Sequence, residues 1–253
     1  GHRAVDRVRD DQLGAIFNHD MRSIGVDIRL EPGTSGAPTA RSHILITPDG
    51  ERTMNTFLGT SADLDQSHVA EQAIKKSEWV YLEGYLVTGD ASRQAVLLAK
   101  DYAQKHGVKT ALTLSDPNMM RFFREGMMEM IGDGVDLLFS NEDEAFELSG
   151  STEIKPTVEV LKQHANSFVI TRGSKGALVF DGEQLIDIDP FPVQAVDTLG
   201  AGDMFAGAFL YALNRGEDFP TAGRFASLAA GRVVEVSTPL QESELVARGA
   251  SYP

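Results

Sequence analysis

The residues with the clearest chemical meaning lie near the end of the chain, where the heptapeptide 197–203 reads D-T-L-G-A-G-D and leads into the apolar segment 204–210. The apolar run predicts a helix that begins within the heptapeptide. A helix N-terminus offers unpaired backbone N–H groups and the positive end of the helix dipole, which together bind anions. Small residues at 200–202 let a phosphate approach that backbone closely. Asp203 falls in the first turn, where its carboxylate could take a proton from an attacking hydroxyl.

A simple helix cap is the alternative interpretation of the same heptapeptide. A cap needs one acidic or hydroxyl side chain, whereas two aspartates, Asp197 and Asp203, bracket the Gly-Ala-Gly run here. We therefore favour an anion site with a neighbouring base over capping alone.

Two further polar segments each follow an apolar, strand-like run. The segment 141–144 reads N-E-D-E and comes after 135–139, at the carboxyl end of a predicted strand, where α/β sheets place ligands. Taken alone, it predicts a helix N-cap in which Asn141 and Glu144 close a capping box. The segment 171–176 reads T-R-G-S-K-G and is typical of a tight turn with glycines at positive φ.

Taken in order, these segments resemble the signatures of the ribokinase, or PfkB, family of carbohydrate and nucleoside kinases: N-x-x-E, T-x-G-x-x-G and D-T-x-G-A-G-D. The resemblance implies an ATP-dependent kinase in which Asp203 is the catalytic base. The anion hole for the transferred phosphoryl group would be formed by the amides of Gly200, Ala201 and Gly202. The implied fold is a ribokinase-like three-layer α/β/α sandwich with a mostly parallel central sheet and a small β-rich lid.

The same resemblance implies how the nucleotide and its metal are held. Asn141 and Glu144 would hold Mg²⁺, through water, beside the phosphates of ATP. Nucleotide contacts would come from Asn141, Thr171, Gly173, Gly176, Thr198 and, from the lid strand, Arg52. The arginine would reach the transferred phosphate with its two-pronged guanidinium group. A monovalent cation such as K⁺ is a further candidate cofactor.

Within the family, the sequence is most like adenosine kinases and their bacterial relatives, as in G-E-R-T-M-N-T-F at 50–57, L-T-L-S at 112–115 and L-L-F-S-N-E at 137–142. This favours phosphorylation of a primary hydroxyl of a nucleoside, with adenosine preferred. A sugar kinase of the ribokinase or ketohexose type is the alternative.

One part of the family pattern is absent. Family members begin with further strands that carry an acidic residue and a Gly-Gly segment, which grip the acceptor. Here the pattern starts near 7–11, so we expect the N-terminal part of the family fold to be missing. A catalytically impaired nucleotide-binding module is therefore a second alternative.

Composition excludes several other functions. The net charge of −14 disfavours nucleic acid and anionic membranes as partners, and no run of about 18 apolar residues predicts a membrane span. The chain has no cysteine and no apolar leader, which leads us to expect a cytoplasmic protein. Scattered histidines disfavour zinc chemistry. The motifs of P-loop enzymes and of dinucleotide-binding dehydrogenases are not present.

The elements that must position these residues fall into two parts. Alternating patterns around an Asp-Gly turn predict a small β lid at 26–58, with a strand at 26–30 and a hairpin of 42–47 and 52–57. An edge of this sheet could pair between subunits and give a homodimer. The rest, 1–25 and 59–253, is the predicted kinase core. Its predicted helices are 13–24, 65–76, 91–106, 118–131, 141–148, 156–164 and 219–236, and its predicted strands are 79–82, 108–114, 135–139, 168–171, 177–180 and 184–187.

Several side chains near predicted strand ends have two interpretations. Ser115, Asp116 and Asn118 either cap the following helix or line a cleft. Tyr81 is predicted to lie in the core with the rest of its apolar strand, and Tyr85 to face the cleft. The methionines of 119–130 are predicted to fill gaps in the core.

Overall fold

The structure is a computed structural model that describes residues 2–28, 31–46 and 52–235. The chain divides into two compact units. The first comprises Gly1–Val80 and Leu86–Val108, and the second comprises Tyr81–Tyr85 and Lys109–Pro253. The predicted lid segment, 26–58, belongs to the first unit.

The first unit begins with two short parallel strands joined by a helix. Strand β1 (His2–Ala4) pairs with β2 (Val26–Ile28), and α1 (Gln12–Ser23) connects them. The predicted helix and strand are thus confirmed, except that 29–30 lie outside the described residues. The apolar side chains that predicted α1 remain exposed in part, with Leu13 at 41% and Ile16 at 48%.

The start of α1 is fixed by Asp11. Its Oδ1 accepts the Gly14 N–H at 2.9 Å, which caps the helix, and its Oδ2 accepts the Thr39 N–H at 2.9 Å. These hydrogen bonds lower the pKa of the Asp11 carboxyl to about 2, since they favour the ionised form.

The predicted hairpin is present as an antiparallel pair, β3 (Arg41–Ile46) and β4 (Arg52–Phe57), with Arg41 opposite Phe57 and Ile46 opposite Arg52. The predicted Asp-Gly turn, within 47–51, lies outside the described residues. Most of the described side chains on both strands are exposed, so this hairpin has little core of its own.

The helix predicted over 65–76 is wrong. The segment instead forms a 3₁₀ turn, Gln66–His68, and a single turn of helix, α2 (Glu71–Ile74), before α3 (Asp90–His106). Asp65 accepts the Ser67 N–H at 2.8 Å through its side chain. That local bond competes with a continuous helix, because it satisfies a backbone donor without helical geometry.

Among the described residues, a six-stranded sheet runs in the order β10-β9-β8-β7-β6-β5. The strands are β5 (Trp79–Glu83), β6 (Lys109–Thr113), β7 (Val135–Asn141), β8 (Ala165–Thr171), β9 (Ala177–Phe180) and β10 (Leu185–Ile188). Strands β6, β7 and β8 pair in parallel, and β9 and β10 complete the sheet as an antiparallel hairpin. The alternating helices and strands predicted from the sequence are therefore confirmed.

The helices of the second unit are α4 (Pro117–Ile131), α5 (Glu142–Ser149), α6 (Ile154–Leu161), α7 (Ala201–Asn214) and α8 (Phe219–Val234). Phe209 of α7 contacts Phe139 of the sheet edge-on, with ring centroids 5.8 Å apart, and Phe219 of α8 at 5.6 Å. These ring contacts hold α7 against β7 and α8. None of the helices in the described ranges is both long and apolar enough to cross a bilayer.

The core of the second unit is built on the central strands. Leu112, Leu137 and Phe168 are fully buried, as expected for strands that are covered on both faces. The methionine prediction is confirmed for Met120 and Met127, which are also fully buried. With this core fixed, the carboxyl ends of the parallel strands are held at one edge of the sheet.

Candidate active site

Polar residues follow the carboxyl ends of neighbouring strands. Glu83 ends β5, Ser115 and Asp116 follow β6, Asn141 ends β7, and Thr171 ends β8. Because β6, β7 and β8 are parallel, their ends meet at the same edge of the sheet, where open α/β sheets bind ligands.

The N-terminus of α7 has the open geometry that the sequence predicts. Gly200 is the N-cap at φ +74°, a left-handed conformation that glycine adopts without strain. No side chain of the described residues caps the helix. A methyl group added at Gly200 or Gly202 would meet no atom within 4 Å, so the backbone here is accessible.

The amides of this N-terminus are only partly used. The Ala201 N–H donates to the Thr198 carbonyl over a long 3.3 Å. The amides of Gly202 and Asp203 lie in the first turn, whose donors have no acceptor within a helix. Of the predicted anion hole, therefore, the Ala201 amide has a long internal bond, and the Gly202 amide is one of the first-turn donors that a helix leaves without an internal acceptor.

The motif is anchored at its start. Asp197 Oδ1 accepts the Leu199 N–H at 2.9 Å. The Val234 carbonyl, at the end of α8, accepts the Val196 N–H at 2.7 Å and the Asp197 N–H at 3.3 Å. These bonds fix the turn that presents the N-terminus of α7.

Asp203 is exposed, so its carboxylate is accessible to a ligand. It lines a cavity of about 140 Å³ with Tyr81, Glu83, Gly207 and Leu210. Asp203, Gly207 and Leu210 recur at helical spacing and so share one face of α7. The absence of a side chain at Gly207 leaves room beside the carboxylate, since a methyl group there would also meet no atom within 4 Å.

Sequence reasoning missed Glu83. Its half-buried carboxylate faces the same cavity as Asp203 and accepts a hydrogen bond from the Ser115 hydroxyl at 3.1 Å. Burial, and then the negative charge of Asp203, raises the pKa of the Glu83 carboxyl, although bonds from Ser115 and Tyr81 oppose the shift. The available signal was an acidic residue at the end of a predicted strand. It could not be recognised as part of the site without knowing that the fold brings it to the same cavity as Asp203.

Tyr81 is not the core residue that the sequence predicted. It is half-buried and lines the cavity beside Glu83. Burial, with the charges of Glu83 and Asp203, raises the pKa of this phenol above its ordinary value. Tyr81 therefore stays neutral, and its hydroxyl is available to donate a hydrogen bond to a ligand.

Ser115 links the ends of β5 and β6. Among the described residues other than glycine, Ser115 is the one with a positive φ, at +67°. Its hydroxyl accepts the Gly84 N–H at 2.8 Å and its carbonyl accepts the Tyr85 hydroxyl at 3.2 Å. A side chain at Gly84 would come within 2.6 Å of the Thr113 carbonyl, so glycine is required for this close approach.

Of the two interpretations of 115–118, capping is confirmed for Asp116, and the lining of a cleft stays a prediction. Asp116 caps α4 by accepting the Asn118 N–H at 2.7 Å. Its charge also helps to raise the pKa of Tyr85 to about 12, after the larger effect of burial. Tyr85 is 47% exposed, as the sequence predicted.

Asn141 and Glu144 form the predicted capping box. The Glu144 N–H donates to Asn141 Oδ1 at 2.8 Å, while the backbone N–H and the side-chain amide of Asn141 donate to the two Glu144 oxygens at 3.0 and 2.7 Å. Glu144 is only 5% exposed. Burial, with the charges of Asp116, Asp143 and Asp203, raises the pKa of its carboxyl to about 7.

The metal role of Asn141 and Glu144, predicted to act through water, stays a prediction. Within the described ranges, no three acidic or histidine side chains are grouped so as to hold a metal ion. The predicted metal residues, Asn141 and Glu144, bind each other. A cation near Glu144 would still offset the repulsion among the surrounding carboxylates, so the chemistry of the site fits a divalent ion held chiefly by other ligands.

The 171–176 loop is a 3₁₀ turn, Gly173–Lys175, with Gly173 at φ +56° and Gly176 at φ +81°. Packing explains Gly176, because a side chain there would collide with the Ile188 carbonyl. Lys175 is exposed and forms an ion pair with Glu142 at 3.2 Å.

The nucleotide contacts inferred for this region stay predictions. They concern Thr171, Gly173, Gly176 and Thr198, and also Arg52, the first residue of β4. Thr198 is exposed beside the N-terminus of α7, and Thr171 is half-buried at the end of β8.

Comparison with known proteins places the chain among phosphotransferases that act on an alcohol group. It belongs to the pfkB family of carbohydrate kinases, whose family model matches residues 3–243. The fold is the ribokinase-like α/β fold.

Three relatives illustrate the range of the match. The adenosine kinase from Sinorhizobium meliloti is 34% identical with a TM-score of 0.94, over 99% of this chain and 78% of that one. A probable sugar kinase from Rhizobium etli CFN 42 is 32% identical with a TM-score of 0.93, over 98% of this chain and 76% of that one. The 5-dehydro-2-deoxygluconokinase of Geobacillus thermodenitrificans is 26% identical, over 91% of this chain and 72% of its own length.

Proposed function

We propose that this protein is an ATP-dependent, Mg²⁺-requiring kinase that phosphorylates a primary hydroxyl of a nucleoside, with adenosine favoured. The observation that carries the proposal is the position of Asp203. It is exposed in the first turn of a helix whose N-terminus has no side-chain cap among the described residues, and it lines a cavity beside that turn.

The chemistry follows from that arrangement. Asp203 accepts the proton of the acceptor hydroxyl as the oxygen forms a bond to the γ-phosphorus. The bond between that phosphorus and the bridging oxygen breaks, and ADP leaves with the electron pair. The amides at the start of α7 stabilise the charge on the phosphoryl oxygens. Positioning and electrostatics supply most of the acceleration, and proton transfer to a base supplies roughly 10²–10⁴-fold.

Magnesium has a place in this scheme beside Asn141 and Glu144. When bound, it would neutralise part of the phosphate charge. Mg²⁺ is usually held by one or two carboxylates, waters and substrate phosphates, which agrees with a carboxylate that is already hydrogen-bonded to Asn141. Glu144 and Asn141 would thus hold the ion through water.

The acceptor side of the site contains Glu83 and Tyr81. The Glu83 carboxylate is fixed by Ser115 and lines the cavity with Asp203, so it is placed to accept a hydrogen bond from a second hydroxyl of the acceptor. A ribose or another polyhydroxy compound supplies such a group. The name of the Sinorhizobium meliloti relative supports a nucleoside, and that of the Rhizobium etli relative supports a sugar as the second candidate.

The lid role of 26–58 is retained as part of the proposal. The exposed β3–β4 hairpin would shield the reacting phosphate from water, which otherwise competes with the acceptor. Arg52 would contribute its phosphate contact from this segment. A K⁺ requirement and a homodimer that pairs lid edges remain proposals of the same kind.

Measurement of ADP release over a panel of acceptors tests the proposal. The panel contains adenosine, other nucleosides, ribose, fructose and no acceptor, each with MgATP. We expect adenosine to give the highest kcat/KM. Higher kcat/KM with a sugar would favour the sugar-kinase alternative, and ATP binding without turnover on any acceptor would favour a nucleotide-binding module.

A further inference from the structure

A second cavity lies along α1 in the first unit and has a volume of about 590 Å³. This is within the range of roughly 300–1,000 Å³ that is usual for small-molecule sites. Its wall includes Arg9, Ala15, Asn18, His19, Arg22 and Pro32. All of these belong to the first unit, whereas Asp203 and Glu83 belong to the second.

One face of α1 forms much of the wall. The lining positions 15, 18, 19, 22 and 23 recur at intervals of three and four residues, which places them on the same side of a helix. Apart from Ala15, these side chains are polar or charged. This face of α1 therefore brings charged and amide groups to the cavity.

Asn18 is the unusual member of this wall. It is only 6% exposed, and its Oδ1 has no hydrogen-bond partner within the described ranges. A buried acceptor without a donor is costly, and native structures normally satisfy it. Because Asn18 lines the cavity, a hydroxyl or another donor held there would meet this need.

The charges around the cavity favour an anion. Arg9 and Arg22 both line it, and Asp10 is its acidic member. Arg9 is held in place because its guanidinium donates to the Gly36 carbonyl. On a chain with a net charge of −14, two arginines at one cavity are a local positive field.

We propose that this cavity binds a small hydroxylated organic anion of the sugar phosphate or sugar acid class. The guanidinium groups of Arg9 and Arg22 hold the anionic group, since arginine matches the geometry of phosphate and carboxylate. Asn18 Oδ1 accepts a hydrogen bond from a hydroxyl of the same molecule. The site uses none of the residues assigned to phosphoryl transfer, so it stands or falls separately from the proposed kinase activity.

Isothermal titration calorimetry on the purified protein tests the site with ribose 5-phosphate, gluconate, inorganic phosphate and neutral ribose. Amide hydrogen exchange of α1 locates any binding. We expect ribose 5-phosphate or gluconate to bind and to protect α1, and the tighter of the two identifies the anionic group. If inorganic phosphate bound as tightly as the better of these two ligands, the hydroxyl groups would contribute nothing. If neutral ribose bound as tightly, the anionic group would contribute nothing. Either result would contradict the proposal.

Two variants make the test specific. Arg22 is exposed, and Arg22→Gln should raise the Kd of the tighter ligand by about tenfold or more, as expected for loss of a charge-assisted hydrogen bond. Asn18→Leu, of similar volume, should abolish the preference for the hydroxylated ligand over inorganic phosphate. Arg215→Gln, which removes an exposed arginine of the second unit, should change neither affinity. Unchanged affinity in Arg22→Gln would overturn the proposal even if Asn18→Leu failed to fold.

Discussion

Glu83 and Asp203, far apart in the sequence, line the same cavity, and the negative charge of Asp203 adds to burial in raising the pKa of Glu83. Two carboxylates that face one small space repel each other in the absence of a ligand. In the proposed reaction, an acceptor with several hydroxyl groups would relieve this repulsion, because it would donate to the Glu83 carboxylate and lose a proton to that of Asp203.

The role of Glu83 can be separated from that of Asp203 by Glu83→Gln. We expect the KM for the acceptor to rise about tenfold or more, as for loss of a hydrogen bond to a charged group, with little change in the KM for ATP. The control Glu78→Gln removes an exposed acid and should leave both constants unchanged. A matched rise in both KM values would show that Glu83 supports the fold instead of the acceptor.

The pH dependence of acceptor binding follows from the same shift. The pKa of Glu83 is raised, so its carboxylate becomes protonated at a higher pH than an ordinary glutamate. If the ionised form holds the acceptor, kcat/KM falls as pH drops through that raised pKa. Glu83→Gln should lose this limb of the profile, and a limb of unchanged position in the variant would contradict the assignment.

Ser115 is predicted to position Glu83. Ser115→Ala and Ser115→Gly both remove the hydroxyl that bonds the Glu83 carboxylate, which should move the acidic limb of the kcat/KM profile to higher pH. The glycine variant also relieves the positive φ of Ser115, so it should melt at a higher temperature than the alanine variant. An acidic limb that stays in place in both variants would rule out this positioning role.

Two glycines of α7 distinguish the phosphate side from the acceptor side. A methyl group fits at Gly202 and at Gly207 without a clash, and alanine in place of glycine within a helix adds roughly 0.5–1 kcal/mol of stability. Gly202→Ala should lower kcat, because the added methyl group would hinder the approach of the phosphoryl group to the amides of the proposed anion hole. Gly207→Ala should raise the acceptor KM because Gly207 lines the cavity. Interchanged effects on kcat and KM would contradict the arrangement.

The metal role of Glu144 is tested by titration of Mg²⁺. Without a cation, burial and neighbouring acids raise the pKa of Glu144 to about 7. MgATP should lower this pKa, because a nearby positive charge favours the carboxylate. Infrared or carboxyl NMR titration reports the shift, and Glu144→Gln should need more Mg²⁺ for half-maximal turnover. Glu153→Gln, at an exposed acid, is the control, and an unshifted Glu144 would place the metal elsewhere.

The sequence predicted the N-terminus of α7 better than the opposite wall of the cavity. The heptapeptide 197–203 is contiguous, and local rules suffice to place its glycines and Asp203 at a helix N-terminus. Glu83 and Tyr81 acquire their positions only when β5 joins the sheet and α7 packs beside it, so composition and periodicity along the chain did not reveal them.

The fold was predicted well where apolar spacing was strong and poorly where side chains bond locally. The hairpin β3–β4 and the strands β6–β9 follow their patterns closely. The helix expected over 65–76 did not form, because the Asp65 side chain accepts the Ser67 N–H and the segment after it folds as a 3₁₀ turn. The predicted nucleotide contact of Gly176 is untested, but the nearby Ile188 carbonyl requires a glycine there, a packing constraint that sequence reasoning could not show.

The central claim is that Asp203 deprotonates the acceptor while the amides ahead of it hold the phosphoryl group. Single-turnover phosphate transfer by Asp203→Asn, measured together with ATP affinity, tests this most directly. Asp101→Asn, at an exposed acid of α3, is the control. We predict that Asp203→Asn lowers the transfer rate by at least about a hundredfold and leaves the Kd for ATP unchanged. Equal transfer rates in Asp203→Asn and the unmodified protein would contradict the account.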